Sequence, residues 1–550
     1  MLASVFSVST AQAQDVPSVA PSTDTVLPRM GIDPTLSDLR EHLLNSYGDT
    51  QAAPKGVSAP NLQFQAELGI SEQYITNAGS AVGGGSVRGS DFVTQVQPGL
   101  TINDTSQRLQ INLDYRPTAR VYAENFDFSQ VQQQGSGAVT VTALPGWLYL
   151  DARGSISQQS IFGGTSPTTT LSPNERETVS SFSVSPYIAR TFGGTGTAQA
   201  GVSYSYSATD SPSVNGNLSN NPFLNSLLQN QGAYGSTSLG TERAFTNFTT
   251  GENFGRFQDK AGIDASYFTG TGAVGGGRRV LVTDDVSYAL TRFATLLGEA
   301  GYENLNYPRS QYAYNGPIGS GGVKLTPNKN SSLTLEYRYV DGFGSVFAQG
   351  SVQVSPRIRV FGGYSEGIST ADQDLQNTLL DASSDATGVA ASVLQAAPLL
   401  SGSSEFGGQQ NLNHLHRLDL TATWLGNIDT VTFSVQRETT SEVGRQLNVS
   451  VPVTTNGTFG SVTEIHLLND TLSLSGYFQY GINQSGLVAN TSGDTVSFSV
   501  GLNKSFAREL SAYVRVDGNY NVAGSAIAAS GTRGVNGDQS SVTIGGVKRF

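Results

Sequence analysis

The sequence predicts an all-β fold: a transmembrane, antiparallel, up-and-down β-barrel of about 22 strands, bounded at roughly 20–24. Three observations predict it. Apolar and polar residues alternate with period two over long segments, connections alternate between short and long, and aromatic residues are sorted by strand direction. In the clearest segment Leu109, Ile111, Leu113, Tyr115, Ala119 and Val121 share one face. Arg108, Gln110, Asn112, Asp114, Arg116, Thr118 and Arg120 share the other. Successive side chains of a strand point to opposite faces, so this ribbon has a greasy side and a strongly polar side. It is longer than the ~5–6 residues usual in soluble sheets and suits a tilted membrane crossing of ~9–11. Pro117 lacks an N–H, so a bulge or a break in the ladder is expected there.

Composition agrees. Only 13% of residues are charged, against ~25% in ordinary soluble domains. Gly contributes 64 residues, yet 22 Tyr and 25 Phe recur at regular places; disordered chains share the polarity but lack the aromatics. With no Cys, a disulfide scaffold and a Cys-ligated metal site are both excluded. The net charge of −12 lacks the basic face that a nucleic-acid partner demands. No run of ~18 apolar residues offers a transmembrane helix.

In chain order, residues 1–13 read as a signal peptide: a short apolar stretch ends in Ala11-Gln12-Ala13, with Gln14 as the mature start and a basic segment expected upstream. Residues 14–60 form a Pro-, Ser- and Ala-rich periplasmic tail with one short helix, Thr35 to Tyr47. Leu36, Leu39, Leu43 and Leu44 lie on one side of it and Pro34 precedes it; docking at the barrel mouth is favoured over a partner-binding role. Residues 61–550 are assigned to the barrel, from a first strand near 62–74 to a last near 540–550.

The alternation recurs throughout. Leu148, Leu150 and Ala152 oppose Tyr149, Asp151 and Arg153; Leu333, Leu335, Tyr337 and Tyr339 oppose Thr334, Glu336 and Arg338. Leu418, Leu420, Ala422 and Trp424 oppose Arg417, Asp419, Thr421 and Thr423. Leu510, Ala512, Val514 and Val516 oppose Ser511, Tyr513, Arg515 and Asp517. Short turns are expected near Asn103–Ser106, Leu144–Gly146, Gly193–Gly196, Gly251–Phe254, Thr291–Arg292 and Pro327–Asn330. Four more are expected near Ser355–Arg357, Leu425–Ile428, Leu468–Thr471 and Ala507–Glu509. Between them lie longer segments, notably 209–238 and 367–413. Short periplasmic turns, long outer loops and an even strand count put both termini in the periplasm of a Gram-negative outer membrane.

Aromatic placement supports this orientation. Tyr74, Tyr204, Tyr206, Tyr267, Tyr302, Tyr337, Tyr339, Tyr364 and Tyr480 fall at the long-loop ends of apolar faces, while Trp424, Phe192, Phe506 and Phe550 fall near short turns. Two aromatic girdles are a property of membrane barrels. Val542, Ile544 and Gly546 alternate up to Phe550, a pattern resembling the C-terminal signal read by the barrel assembly machinery, although Lys548 stands where an aromatic is usual.

On these strands the chain resembles a family of outer-membrane barrels linked to exopolysaccharide biosynthesis and the PEP-CTERM sorting system. The resemblance is carried by residues 90–125, 147–159 and 181–194, by GENFGRF at Gly251–Phe257 and by EAGYEN at Glu299–Asn304. After the first strand, Thr76-Asn77-Ala78 replaces the family's acidic-Asn dipeptide. The resemblance implies a porin-like conduit or accessory for polysaccharide export, with polysaccharide and periplasmic export components as partners. It implies no catalytic residues.

Closure follows from physics: in hydrocarbon every backbone N–H and C=O must be paired, and a closed barrel achieves that. Candidate lumen-lining residues are Arg108, Asp114, Arg116, Arg120, Tyr149, Asp151, Arg153, Glu336, Arg338, Arg417, Asp419, Tyr513, Arg515 and Asp517. A ring of one sign would imply ion selectivity; mixed signs favour charge ladders paired across the wall over direct solute contact. Tyr149 and Tyr513, with neutral amides and hydroxyls, suit sugars. A barrel of this size leaves a wide lumen, and loop 367–413, with helix-like Leu375, Leu379, Leu380, Val389, Val393 and Leu394, could fold inward or stay on the surface.

No enzyme is expected. The four His are His42, His414, His416 and His466, and no Ser–His pairing or GxSxG stands out; Gly275-Gly276-Gly277 reads as loop glycine. His414 and His416 share a face, but with no third ligand in view they read as interfacial His rather than a metal site. No cofactor or metal is assigned. A general diffusion porin and a structural or adhesive surface barrel with a blocked lumen are the alternatives.

Overall fold

The computed structural model describes residues 62–76, 89–106, 108–160, 176–210, 236–328, 331–381, 411–443, 454–485, 491–507, 509–524 and 539–550. The signal peptide, the tail with its helix Thr35 to Tyr47, and Val389, Val393 and Leu394 lie outside them.

Each strand pairs antiparallel with the next, from β1 (Leu62–Ile75) to β22 (Gln539–Arg549). The last strand returns to the first, with Tyr74 opposite Val542 and Glu67 opposite Arg549. The sheet has no edge. Two strands are interrupted: β3 runs as Leu109–Tyr115 and Thr118–Tyr122, and β4 as Gln130–Gln132 and Gly135–Leu144. The 24 hydrogen-bonded segments therefore make 22 strands.

Pro117 causes the first interruption. Leu100 faces Tyr115 on one side of it and Val96 faces Ala119 on the other, so the register passes through unchanged. The same register sets Pro98 opposite Pro117, two residues with no N–H to offer. The result is a gap in the ladder rather than a bulge, and Asp114, Arg116 and Arg120 stay on one face.

At one end all ten short connections fall where expected, including the turns at Gly193–Thr195 and Glu252–Phe254. The other end carries the long segments but also, among the described residues, short connections at 123–129, 271–277, 308–311 and 341–342. In the last, Asp341 and Gly342 both take positive φ, 57° and 90°, the geometry of a two-residue hairpin matched to strand twist.

The two faces separate as the alternation requires. Leu420, Val514, Ile544 and Tyr337 are exposed, whereas Ser207, Glu438, Asp517 and Thr543 on the opposite face are buried. Tyr74, Tyr204, Tyr267, Tyr302, Tyr337, Tyr339 and Tyr480 are exposed toward the long-loop end, and Trp424, Phe192, Phe506 and Phe550 toward the short-turn end. An exposed apolar band of this extent needs a hydrocarbon solvent. At the seam, Phe550 N–H donates to the Ala66 carbonyl at 2.8 Å, and the Lys548 ammonium lies 5.0 Å from the Phe550 ring.

One part of the wall turns inward. β14 (Phe343–Ser355) pairs with β15 (Ile358–Ser369) only as far as Ala348 opposite Tyr364. β15 and β16 (Asn413–Leu425) stay paired to Ser369 opposite Asn413. Their paired ends thus leave the wall together. Ile368, and Leu412 just before β16, pack with Leu239, Phe268, Leu305 and Tyr307, which occupy inward-facing positions on β8 (Thr237–Thr250), β9 (Phe257–Gly270) and β11 (Ala294–Tyr307). The helix α1 (Ala371–Asp381) continues from this tip into the lumen.

Candidate functional site

The inward face is a wall of paired charges. Arg116 bridges Glu67 at 2.8 Å and Asp114 at 3.0 Å. Arg338 pairs with Glu336 at 2.7 Å on the same strand, and its guanidinium lies 3.9 Å from the Phe347 ring. Arg417 reaches Glu438 at 3.0 Å on the next strand, and Arg515 reaches Asp517 at 3.0 Å. Arg120 donates to the Gln73 amide oxygen at 2.6 Å. Asp419 and Tyr513 also point inward. Arg108 does not belong to this wall: it precedes its strand and is exposed in the short turn, because the ladder begins only at Leu109.

Near the short-turn end Tyr149 stacks on Tyr187, ring centroids 5.3 Å apart and nearly parallel. Asp151 and Arg153 follow on the same strand face, both buried. This is a flat aromatic platform beside buried charge.

At the long-loop end α1 lies against β6 (Arg176–Thr191), β7 (Gly196–Asp210) and β8. The helix starts with a capping box: Gln373 N–H donates to the Thr370 hydroxyl at 3.2 Å and Thr370 N–H to the Gln373 side-chain oxygen at 3.1 Å. Gln373 also donates to the Tyr307 hydroxyl at 3.1 Å. Gln376 accepts from Thr241 at 2.6 Å and donates to the Leu239 carbonyl at 2.8 Å and to Ser207 Oγ at 3.1 Å. Ser207 Oγ in turn donates to the Asp372 carbonyl at 3.2 Å. Leu375 is buried beneath these polar anchors. All are uncharged. Burial pushes the Asp372 carboxyl above the usual carboxylate range, against the lowering effect of hydroxyls on Thr237, Ser207 and Thr209.

Sequence reasoning missed a buried triad at the long-loop end. Arg279 donates to Glu303 at 2.7 Å and to Asp341 at 3.1 Å, and Asp341 N–H donates to Glu303 at 2.9 Å. The turn at 341–342 therefore bends inward. Its only sequence signal is the Asp341-Gly342 dipeptide, which marks a hairpin but not its direction.

A third potential ligand beside His414 and His416, not in view from the sequence, is Glu366. Glu366 pairs across the ladder with His416, and Glu366, His414 and His416 each offer a ligand atom, all within 4.8 Å of one another. His416 Nδ1 lies 3.4 Å from Glu366, and the two imidazoles lie tilted against each other with centroids 4.4 Å apart. Tyr364, expected in the outer girdle, instead donates its hydroxyl to Glu366. His466 stands elsewhere, 2.5 Å from Asp429.

No protein-family model matches this chain, and no curated protein matches it. The fold is similar to those of solved outer-membrane proteins. The apoprotein form of the FrpB iron transporter from Neisseria meningitidis (F5-1 variant) is 9% identical, with 94% of this chain and 83% of that chain covered and a TM-score of 0.49. The alcaligin outer-membrane receptor FauA from Bordetella pertussis is 11% identical over 90% of this chain and 77% of that one, with a TM-score of 0.41. The ferric citrate transporter FecA in its unliganded form is 8% identical over 90% and 79%, with a TM-score of 0.38. The likeness is one of overall outline.

Proposed function

We propose that this chain is an outer-membrane conduit, with both termini periplasmic, that serves exopolysaccharide export. The observation that carries the conduit reading is the division of faces: a closed cylinder with an apolar exterior and an inward wall of paired charges, hydroxyls and amides. The Tyr149–Tyr187 platform beside Asp151 and Arg153 supports a carbohydrate cargo through stacking and hydrogen bonding. The resemblance in strand and turn sequence supports the export role. Helix α1 narrows the loop end through neutral hydrogen bonds, which a passing polar polymer can replace one by one. The partners in this reading are lipid, the barrel assembly machinery recognising the Phe550 strand, polysaccharide and periplasmic export components. No cofactor is needed and no reaction is catalysed.

The test is deletion of the gene with assay of secreted polysaccharide, complemented by the wild-type barrel or by one carrying Tyr149→Ala and Tyr187→Ala. Loss of polymer restored only by the wild type is the expected result. Unchanged secretion with reduced uptake of small solutes would instead identify a diffusion porin. Unchanged secretion with no bilayer conductance, even after removal of 371–381, would identify a structural barrel.

A further inference from the structure

We infer that Glu366, His414 and His416 form a binding site for a divalent transition-metal ion, with Zn2+ as the reference probe, set between the inward-turned tip of β15–β16 and the wall strand β14. The inference is independent of the cargo.

Its place in the fold makes the site unusual. By ladder parity these side chains share a face with Tyr364 and Leu418, and Leu418 is exposed toward the apolar exterior. Yet the ring of His414 lies 4.5 Å from Phe343. Phe343 pairs with Val340 and so shares the inward face of Arg338 and Glu336. The outward face of the tip is thus covered by the inward face of the wall, because the tip has slipped inside the cylinder. Lipid does not reach it there.

Two observations point to a ligand. His414 Nε2 is buried with no hydrogen-bond partner, a state that costs free energy unless something binds it. The donor set is also chemically matched: two imidazoles and one carboxylate are the ligands of open, three-residue zinc sites and of related transition-metal centres. For metal–ligand bonds of ~2.1 Å in a tetrahedron, donor atoms should sit ~3.4 Å apart. His416 Nδ1 and Glu366 are at 3.4 Å, and the outermost pair at up to 4.8 Å would close on a bound ion. Tyr364 supplies the hydrogen bond to the carboxylate that orients such ligands. An ion here ties β15 to β16 where they leave the wall, at the root of the loop that carries α1.

Calorimetric titration of the full chain, folded in detergent, with Zn2+ tests this. The expected result is about one ion per barrel, not displaced by excess Mg2+, with hard-cation competition weak because two donors are nitrogen. His414→Ala, His416→Ala and Glu366→Gln each weaken binding about tenfold or more, whereas His466→Ala leaves it unchanged. Binding that is absent, or that survives all three substitutions, overturns the assignment. Should a variant fail to show the heat-modifiable migration of a folded barrel, zinc-edge X-ray absorption on the wild type decides: two imidazole ligands support the site, and none or one overturns it.

Discussion

Gln376 makes three polar contacts from one side chain, with Thr241, Leu239 and Ser207, and so fixes the depth at which α1 sits. Replacing it by Ala leaves buried hydroxyl and carbonyl groups unpaired, at about 1–3 kcal/mol. Gln376→Ala should therefore shift the helix toward an undocked state by roughly 5- to 150-fold, read as higher single-channel conductance in a planar bilayer. Asp372 adds a pH dependence. Its carboxyl is pushed up in the docked state by burial, so the neutral form favours docking. That contribution is fully present below the ordinary carboxylate range and fades as pH rises through the raised value. Conductance of the wild type should fall on acidification from neutral pH, and Asp372→Asn should flatten the response; an unaltered response in that variant would refute the assignment. Not every such residue could be read from the chain. Arg338 and Arg417 announce themselves by alternation, whereas Glu366 becomes a partner of His416 only through cross-strand pairing, which local spacing does not encode.

Among the elements, strands and short turns were legible because period two and turn chemistry are local. β1 ends within a residue of its expected limit, and the break at Pro117 follows from one missing N–H. For loop 367–413, Leu spacing left inward folding and a surface position equally open. The sharper signal lay in Thr370-Ala-Asp-Gln373, a capping box that places the helix start. Thr370→Ala should cost the helix about 1 kcal/mol, and hydrogen exchange of amides 374–376 should accelerate about fivefold. The inward tilt of β15–β16 was not legible. It depends on Ile368 and Leu412 finding apolar partners on β8, β9 and β11, strands remote in sequence whose top positions happen to be apolar on a polar face.

At the scale of the whole molecule, closure converts an edge-bearing sheet into one with every ladder bond internal, which hydrocarbon requires. Depth-dependent cost follows. Leu420→Arg places a guanidinium on the exposed apolar band and should destabilise folding into lipid vesicles by about 2–4 kcal/mol, whereas Thr421→Arg, facing inward among charged neighbours, should cost far less. Equilibrium denaturant titration in vesicles compares the two.

The division of faces is tested most directly by single-cysteine scanning, clean in a chain that has no native Cys. Cysteines placed one at a time from Leu510 to Asp517 are labelled in vesicles and probed with a lipid-confined quencher and a water-soluble thiol reagent. Positions 510, 512, 514 and 516 should answer to the lipid probe, and 511, 513, 515 and 517 to the aqueous one. A uniform response along the strand, or the opposite phase, would contradict the barrel as described.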